Sequence, residues 1–208
     1  MNKATLAEQA YQYIIEQIKY GKFKGGEKID EAGIVEELGI SRTPVREALL
    51  QLASDDILVN VARKGFFVRN FGAREKLDAC TVLGHLDALS AVAAAPFLGE
   101  EDFAELIRMT EEMDDFIEKH EFKKYSDMQE QFHLYYQKKC PNHPLLETID
   151  YLINKYVIST FYIDAPMLYE HFSISNSDHK KMIAMMREKK LDELYDTVSK
   201  HWGYTIEE

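Results

Sequence analysis

The chain has 208 residues, 46% of them hydrophobic, and a formal net charge of −11. This length suits one large domain or two small ones, with enough apolar residues for real cores. The charge is uneven, because residues 1–72 carry 10 basic and 10 acidic side chains whereas residues 73–208 carry 15 basic and 26 acidic ones. The negative total therefore does not exclude a first part that binds nucleic acid, since the charge close to the contact surface determines whether DNA binds there. We expect DNA to meet a local cluster of basic residues, namely Arg42, Arg46, Arg63, Lys64 and Arg69.

The cysteines and apolar segments indicate the compartment. The two cysteines, Cys80 and Cys140, have no paired spacing, which predicts a reducing cytoplasm and no disulfide scaffold. The N-terminus lacks the apolar core of a signal peptide. The longest apolar stretch, residues 91–98, is far too short to span a bilayer. We therefore expect a cytoplasmic protein with no membrane partner.

Two helices are predicted before residue 40. A helix over residues 4–20 follows from apolar residues at helical spacing, namely Leu6, Ala10, Tyr13, Ile14 and Ile18. Glycines at 21, 25 and 26 end it. Asp30 can cap a second helix that carries Ile34, Val35 and Leu38, and Gly39 stands where a left-handed C-terminal cap belongs.

A third helix follows at once, with Ser41 as its cap and Pro44 in its first turn, where a missing N–H costs little. Its inward face is apolar and consists of Val45, Ala48, Leu49 and Leu52. Arg42, Thr43 and Arg46 lie on the outward face. A helix with these two faces, directly after a short amphipathic helix, is typical of one that enters the DNA major groove.

Residues 59–62 and 66–69 alternate like strands and flank the tight turn Arg63-Lys64-Gly65. Three helices and a hairpin with a basic tip predict a winged helix-turn-helix. The alternative is a plain helical hairpin with solvated arginines, which Arg42 alone would favour. The arginines of the third helix and the basic tip together favour DNA binding.

Three segments resemble the N-terminal domain of GntR-family transcriptional regulators: residues 21–29 (GKFKGGEKI), 38–49 (LGISRTPVREAL) and 63–68 (RKGFFV). The resemblance implies that the third helix lies in the major groove and that the hairpin tip reaches a minor groove. The predicted DNA-contacting residues are Ser41, Arg42, Thr43, Arg46, Arg63, Lys64 and Gly65. Two departures are Ala32, where some relatives carry a DNA-contacting arginine, and Asp55-Asp56, in place of the usual acidic-Gly pair.

Residues 71–74 form a short predicted linker between a DNA-binding domain (1–71) and a second domain (75–208). Apolar periodicity predicts helices over 76–97, 101–119, 121–139, 144–163, 166–173 and 177–202. A break is therefore expected at residues 173–177, with a cap there for the last long helix. The fold class is mainly α, a winged helix-turn-helix followed by an antiparallel bundle of about six helices.

Three histidines of the second domain stand out: His133, His179 and His201. On one straight helix, His179 and His201 would lie roughly 33 Å apart, too far for one metal ion. A connection at residues 188–192, with Asp192 capping a final helix, would instead fold His201 back beside His179.

The second domain resembles the effector domain of the FadR-like branch, called FCD. The resemblance rests on Phe132-His133, residues 142–146, 178–183 and 83–95, and the terminal His201. It implies a divalent transition metal such as Zn or Ni on the three histidines. The usual aspartate one turn before the first histidine is replaced by Gln129, a neutral amide. Two outcomes follow: the affinity for the metal falls, or water or a bound carboxylate completes the coordination shell.

These features predict a DNA-binding transcription regulator, a homodimer on a pseudo-palindromic operator of double-stranded DNA. Its operator affinity would respond to a small-molecule effector, an organic acid, in the helical domain. Repression is the commoner outcome in the family. The predicted effector site contains His85, Asp87, Gln129, His133, His179 and His201, although His85 fits a surface or packing role equally well.

Two other functions use the same histidines. One is a metal-responsive regulator in which the ion itself is the signal. The other is a zinc-dependent hydrolase, which the sequence disfavours because no glutamate stands in a motif such as His-Glu-x-x-His and the winged helix would have no purpose.

Overall fold

A computed structural model describes residues 4–157 and 165–202. It divides into two compact units. Among the described residues, the first unit contains 4–76 and also 153–157, and the second contains 77–152 and 165–202. The sequence-based division into 1–71 and 75–208 placed residues 153–157 in the second domain, whereas the structure groups them with the first unit.

The first unit is a winged helix-turn-helix made of α1 (Leu6–Lys19), α2 (Glu31–Leu38), α3 (Arg42–Ser54), β1 (Leu58–Val61) and β2 (Gly65–Val68). The predicted caps are confirmed at two places: the Asp30 carboxylate accepts a hydrogen bond from the Ala32 N–H (3.1 Å), and Gly39 closes α2 at φ 62°. Ser41 is the N-cap residue of α3, but its side chain makes no capping bond.

The wing is a two-stranded antiparallel hairpin in which Leu58 pairs with Val68 and Val61 with Gly65. Both strands begin one residue earlier than predicted, and Arg63 (φ 63°) and Gly65 (φ 100°) take left-handed conformations at the turn. The core beneath the wing is apolar and includes Ala10, Ile14, Ile18, Ile34, Val45, Ala48, Leu49, Leu52, Leu58, Phe66 and Val68.

The remaining elements are helical throughout the described residues: α4 (Ala73–Ala94) with a 3-10 turn (Ala95–Phe97), α5 (Glu100–Glu118), α6 (Phe122–Gln137), α7 (His143–Leu152), a π-helical turn (Ile153–Val157), α8 (Ala165–Glu188) and α9 (Leu191–His201). Within the second unit, α5 packs against α6 and α8, and α8 packs against α9. Contrary to the sequence-based expectation of no segment long enough to span a bilayer, the described residues include one helix, 73–97, that is long and apolar enough by length and composition. Half of its 18-residue apolar window is buried inside the protein, which is typical of a core helix.

The predicted break at residues 173–177 is wrong, because α8 runs through it without interruption. Asn176 is buried there, and its amide donates to the Thr110 carbonyl oxygen (2.9 Å) and to the Asp114 carboxylate (2.7 Å) of α5. The Asn176 side chain, which the sequence suggested as part of a helix cap, therefore makes tertiary hydrogen bonds to α5 instead.

The predicted hairpin between the last two helices is confirmed. Lys189 takes φ 56° between α8 and α9, and the chain reverses. The prediction that Asp192 caps α9 is wrong, because Lys190 occupies the N-cap position, without a side-chain capping bond, and Asp192 lies in the first turn. The reversal brings His201 back toward His179.

Candidate functional site

The outward face of α3 carries cations above a buried apolar face. Arg42, Thr43 and Arg46 are exposed, whereas Val45 and Leu49 are at most 1% exposed. This division follows from the helical period, because residues three and four positions apart share a face. The structure thus presents a basic, solvent-facing surface at the start of α3.

The wing tip carries the second group of predicted contacts. Arg63 and Lys64 are exposed at the turn of the hairpin, and Gly65 is half-buried behind them. Within the described part of the chain, none of the cations at 42, 46, 63 and 64 forms an ion pair. These charges are therefore available to an external anion.

Arg69, at the base of the wing, has an internal role instead. It donates to the Asp56 carboxylate (2.6 Å), which also accepts a bond from the Lys155 ammonium (2.7 Å). Beside this pair, the Phe71 and Tyr156 rings lie 4.6 Å apart. The Lys155 hydrogen bond is the main cause that lowers the pKa of Asp56. Asp56 replaces the glycine of the usual acidic-Gly pair, and it keeps the backbone conformation of a glycine, with φ 62°.

The three predicted histidines come together inside the second unit. His133 is on α6, His179 is on α8 and His201 ends α9, and each is at most 6% exposed. The Nε2 atom of His179 lies 3.3 Å from that of His133 and 3.1 Å from that of His201. Three imidazole nitrogens thus converge on one point.

The distances of this convergence fit a metal ion. Metal–nitrogen bonds of about 2.0–2.1 Å place two ligand nitrogens about 2.8–3.4 Å apart, from octahedral to tetrahedral shells. The two observed separations fall in that range. Among the described residues, the buried Nδ1 atom of His179 makes no hydrogen bond, and that of His201 lies 3.9 Å from Oδ2 of Asp178, so the Nε2 atoms of both rings are left to face the cluster.

The protonation of the histidines also suits a metal. Burial, with help from the neighbouring imidazoles, holds the pKa of His179 well below its usual value. Burial likewise lowers the pKa of His201, although Asp178 opposes the shift. Neutral imidazole is the form that binds transition metals.

Asp87 of α4 fixes the orientation of His133. Its carboxylate is fully buried, and its Oδ2 atom lies 3.0 Å from Nδ1 of His133. That contact leaves Nε2 of His133 facing the other two histidines, as in the carboxylate–histidine pairs of metal sites. Burial alone would raise the pKa of Asp87, but His133 and the hydrogen bonds outweigh burial and lower it.

The Asp87 carboxylate is saturated by protein donors. It accepts bonds from the Ser90 hydroxyl (3.0 Å), the Tyr136 hydroxyl (2.8 Å), the Gln137 amide (2.8 Å) and the Trp202 indole (2.9 Å). These four donors were missed by sequence reasoning. One signal was available, because the chain's single tryptophan directly follows His201.

The other two predicted effector residues take different places. Gln129 is half-buried on α6, one turn before His133 and on the same side of the helix. His85 is exposed on α4, where its Nδ1 lies 3.1 Å from the Tyr195 hydroxyl. His85 therefore does not join the buried histidines, since it faces outward from the helix that carries Asp87.

Family models match both parts of the chain. The model of the gntR family of bacterial regulatory proteins matches residues 6–68, and the FCD domain model matches residues 78–203. Together they contain the α3 surface, the wing and all three histidines.

Curated relatives are transcription regulators rather than enzymes. The Nta operon transcriptional regulator of Aminobacter aminovorans is 28% identical over 191 residues, which are 89% of this chain and 87% of the relative. The HTH-type transcriptional regulator McbR of Escherichia coli is 28% identical over 143 residues, 68% of this chain and 65% of the relative.

The fold recurs in solved structures. That of E. coli McbR/YncC superposes with a TM-score of 0.84 at 23% identity, over 96% of this chain and 94% of that one. A regulator from Rhodococcus sp. RHA1 gives a TM-score of 0.63 at 17% identity, over 92% and 96%. The chain belongs to the GntR family of bacterial regulatory proteins and carries an FCD domain after its winged helix-turn-helix.

Proposed function

We propose that α3 and the wing bind operator DNA through Ser41, Arg42, Thr43, Arg46, Arg63, Lys64 and Gly65. The observation that carries this proposal is the set of exposed cations on α3 and at the wing tip that form no ion pair with residues 4–157 or 165–202. Arginine in the major groove bonds to guanine edges, and basic side chains elsewhere neutralise phosphates. The acidic excess of the chain lies outside residues 1–72, whose 10 basic and 10 acidic side chains balance.

A substitution at Arg46 tests the DNA surface. A binding site is first selected from random DNA, and the affinity of the full chain is then measured by fluorescence anisotropy at fixed salt. Arg46→Ala should weaken binding by about 1–3 kcal/mol if Arg46 contacts a base edge. Arg108→Ala removes an exposed arginine from α5 and is the matched control, which should keep wild-type affinity. Equal affinities for all three proteins would exclude α3 as the recognition helix.

The buried histidine cluster supports a divalent transition metal held by His133, His179 and His201. Gln129 adds no charge, so water or an effector carboxylate would complete the shell. Asp87 and Asp178 are buried nearby, and no lysine or arginine is buried among the described residues of this unit. A bound ion would supply the positive charge that an organic-acid effector needs there.

The regulatory role follows from these two sites. An acid that binds beside the histidines would control transcription only if it favours one of two DNA-binding states of the protein. We infer a homodimer, because two winged helices match two half-sites. We also infer repression; one relative, 30% identical over 46% of this chain, is named a probable D-xylose utilization operon transcriptional repressor.

Elemental analysis and a titration test the histidine site. The purified chain should take up one equivalent of Zn²⁺ or Ni²⁺, and His179→Ala should lose that uptake, because the His179 nitrogen lies between the other two. Stoichiometric, unweakened uptake by His179→Ala would exclude the cluster as the metal site. An organic-acid panel on the metal-loaded protein then identifies the effector by its change in DNA affinity.

A further inference from the structure

We propose that Gly84 and Trp202 are positioning residues that hold α9 against α4 and thereby place His201 in the histidine cluster. The inference rests on the proposed function of that cluster as a ligand site. It concerns how the third imidazole reaches the other two, which come from different helices.

Gly84 permits a close approach of two backbones. A Cβ atom at this position would lie 2.5 Å from the carbonyl oxygen of Ser199 and 3.3 Å from its carbonyl carbon. Ser199 is two residues before His201 on α9. The opposing atoms are backbone, so they cannot rotate away as a side chain would. Glycine inside a helix costs about 1 kcal/mol relative to alanine, and this close approach explains its presence in α4.

Trp202 provides the second anchor, at the end of α9. Its indole Nε1 donates to Oδ2 of Asp87 (2.9 Å), the same oxygen that lies 3.0 Å from Nδ1 of His133. The Trp202 and His133 ring centroids are 5.1 Å apart. One carboxylate thus ties the residue after His201 directly to another histidine of the cluster.

The other contacts of α9 are apolar or lie farther from His201. Leu194 and Val198 are fully buried in the core of the second unit, and apolar burial has little directional preference. The Tyr195 hydroxyl lies 3.1 Å from Nδ1 of the exposed His85 on α4, at the protein surface. The close approach at Gly84 and the hydrogen bond of Trp202 are directional and lie within two residues of His201, so they define the height and rotation at which His201 meets His133 and His179.

The site is sensitive to a small displacement of α9. Gly84→Ala must move the Ser199 carbonyl from 2.5 Å to an ordinary contact of at least 3.4 Å. A well-formed metal site has ligand distances within about 0.2 Å of the standard values. A displacement near 1 Å would therefore remove His201 as a ligand, and loss of a supporting contact costs about 10–100-fold in metal affinity.

Cobalt binding to the full chain tests the proposal, because the visible absorption of Co²⁺ reports its ligands. Gly84→Ala and Trp202→Phe should lower Co²⁺ affinity by about tenfold or more and alter the visible spectrum. Trp202→Phe keeps an aromatic ring at this position and removes the Nε1–H donor together with part of the indole. Val82→Ala changes an exposed side chain of the same helix (52% exposed in the wild type) and should bind Co²⁺ as the wild type does.

Amide hydrogen exchange over residues 194–202 supplies a readout that needs no metal. Protection there should fall in Gly84→Ala and Trp202→Phe and stay unchanged in Val82→Ala. Wild-type spectra, affinities and protection in both variants would overturn the proposal. If Gly84→Ala does not fold, the Co²⁺ binding and the amide protection of Trp202→Phe alone test the proposal. If the wild type binds no Co²⁺, the proposed metal site fails, while the exchange result still decides how α9 is held.

Discussion

Asp87→Asn is expected to destabilise the second unit by about 2–4 kcal/mol. The Oδ1 atom of Asp87 accepts bonds from Ser90 and Gln137, and Oδ2 accepts from Trp202 and lies against Nδ1 of His133. In either orientation, the asparagine amide nitrogen would face two groups that now bond to an oxygen. Each buried donor left without an acceptor costs about 1–3 kcal/mol, and the smaller desolvation penalty of a neutral side chain offsets part of the sum.

Urea unfolding followed by tryptophan fluorescence measures this loss. The chain has a single tryptophan, Trp202, so the signal reports the second unit. Ser90→Ala is the matched comparison because it removes only one donor to the Asp87 carboxylate, and it should cost about 1 kcal/mol. An Asp87→Asn protein with wild-type stability, or one no less stable than Ser90→Ala, would refute the view that the carboxylate organises this core.

Two further predictions concern the first unit. The pKa of Asp56 is lowered in the folded chain, chiefly by the Lys155 hydrogen bond, so its stabilising contribution is present above the ordinary aspartate pKa. The stability deficit of Asp56→Asn should therefore be complete at pH 7, begin to shrink below about pH 4 and vanish only once the pH has fallen below the lowered pKa of the folded chain, and a pH-independent deficit would contradict the ion pair. Leu49→Ala should cost about 2–5 kcal/mol in urea unfolding followed by circular dichroism, because Leu49 is fully buried. Its exposed neighbour Leu50 (49% exposed) is the control, and Leu50→Ala should change stability by less than about 0.5 kcal/mol; equal costs at both positions would contradict the orientation of α3.

Local signals were sufficient for most of the first unit. Asp30 and Gly39 act within one turn of their own positions, so the bounds of α2 follow from the sequence alone. The alternation of apolar residues on α3 likewise predicts which side chains are buried, because the helical period does not depend on distant contacts. The wing was predicted with a shift of one residue, since the cross-strand pairing of Leu58 with Val68 decides the register.

The second unit depends on distant partners, and sequence reasoning was weaker there. The polar run at residues 173–177 suggested a break, but the bonds from Asn176 to α5 keep α8 continuous. The resemblance to FCD domains selected the three histidines correctly as neighbours. It did not indicate that Asp87 serves as a saturated acceptor beside His133, because the donors come from residues up to 115 positions away.

The affinity of the full chain for its selected DNA site, measured while an organic acid is titrated into metal-loaded protein, tests the central claim most directly. We expect that an acid which binds the protein, as seen by calorimetry, changes the dissociation constant for DNA by about 5–150-fold, the usual range of coupling between two sites. We also expect DNA to change the affinity for the acid by the same factor. An acid that binds at the histidine cluster and leaves the affinity for DNA unchanged would contradict this claim.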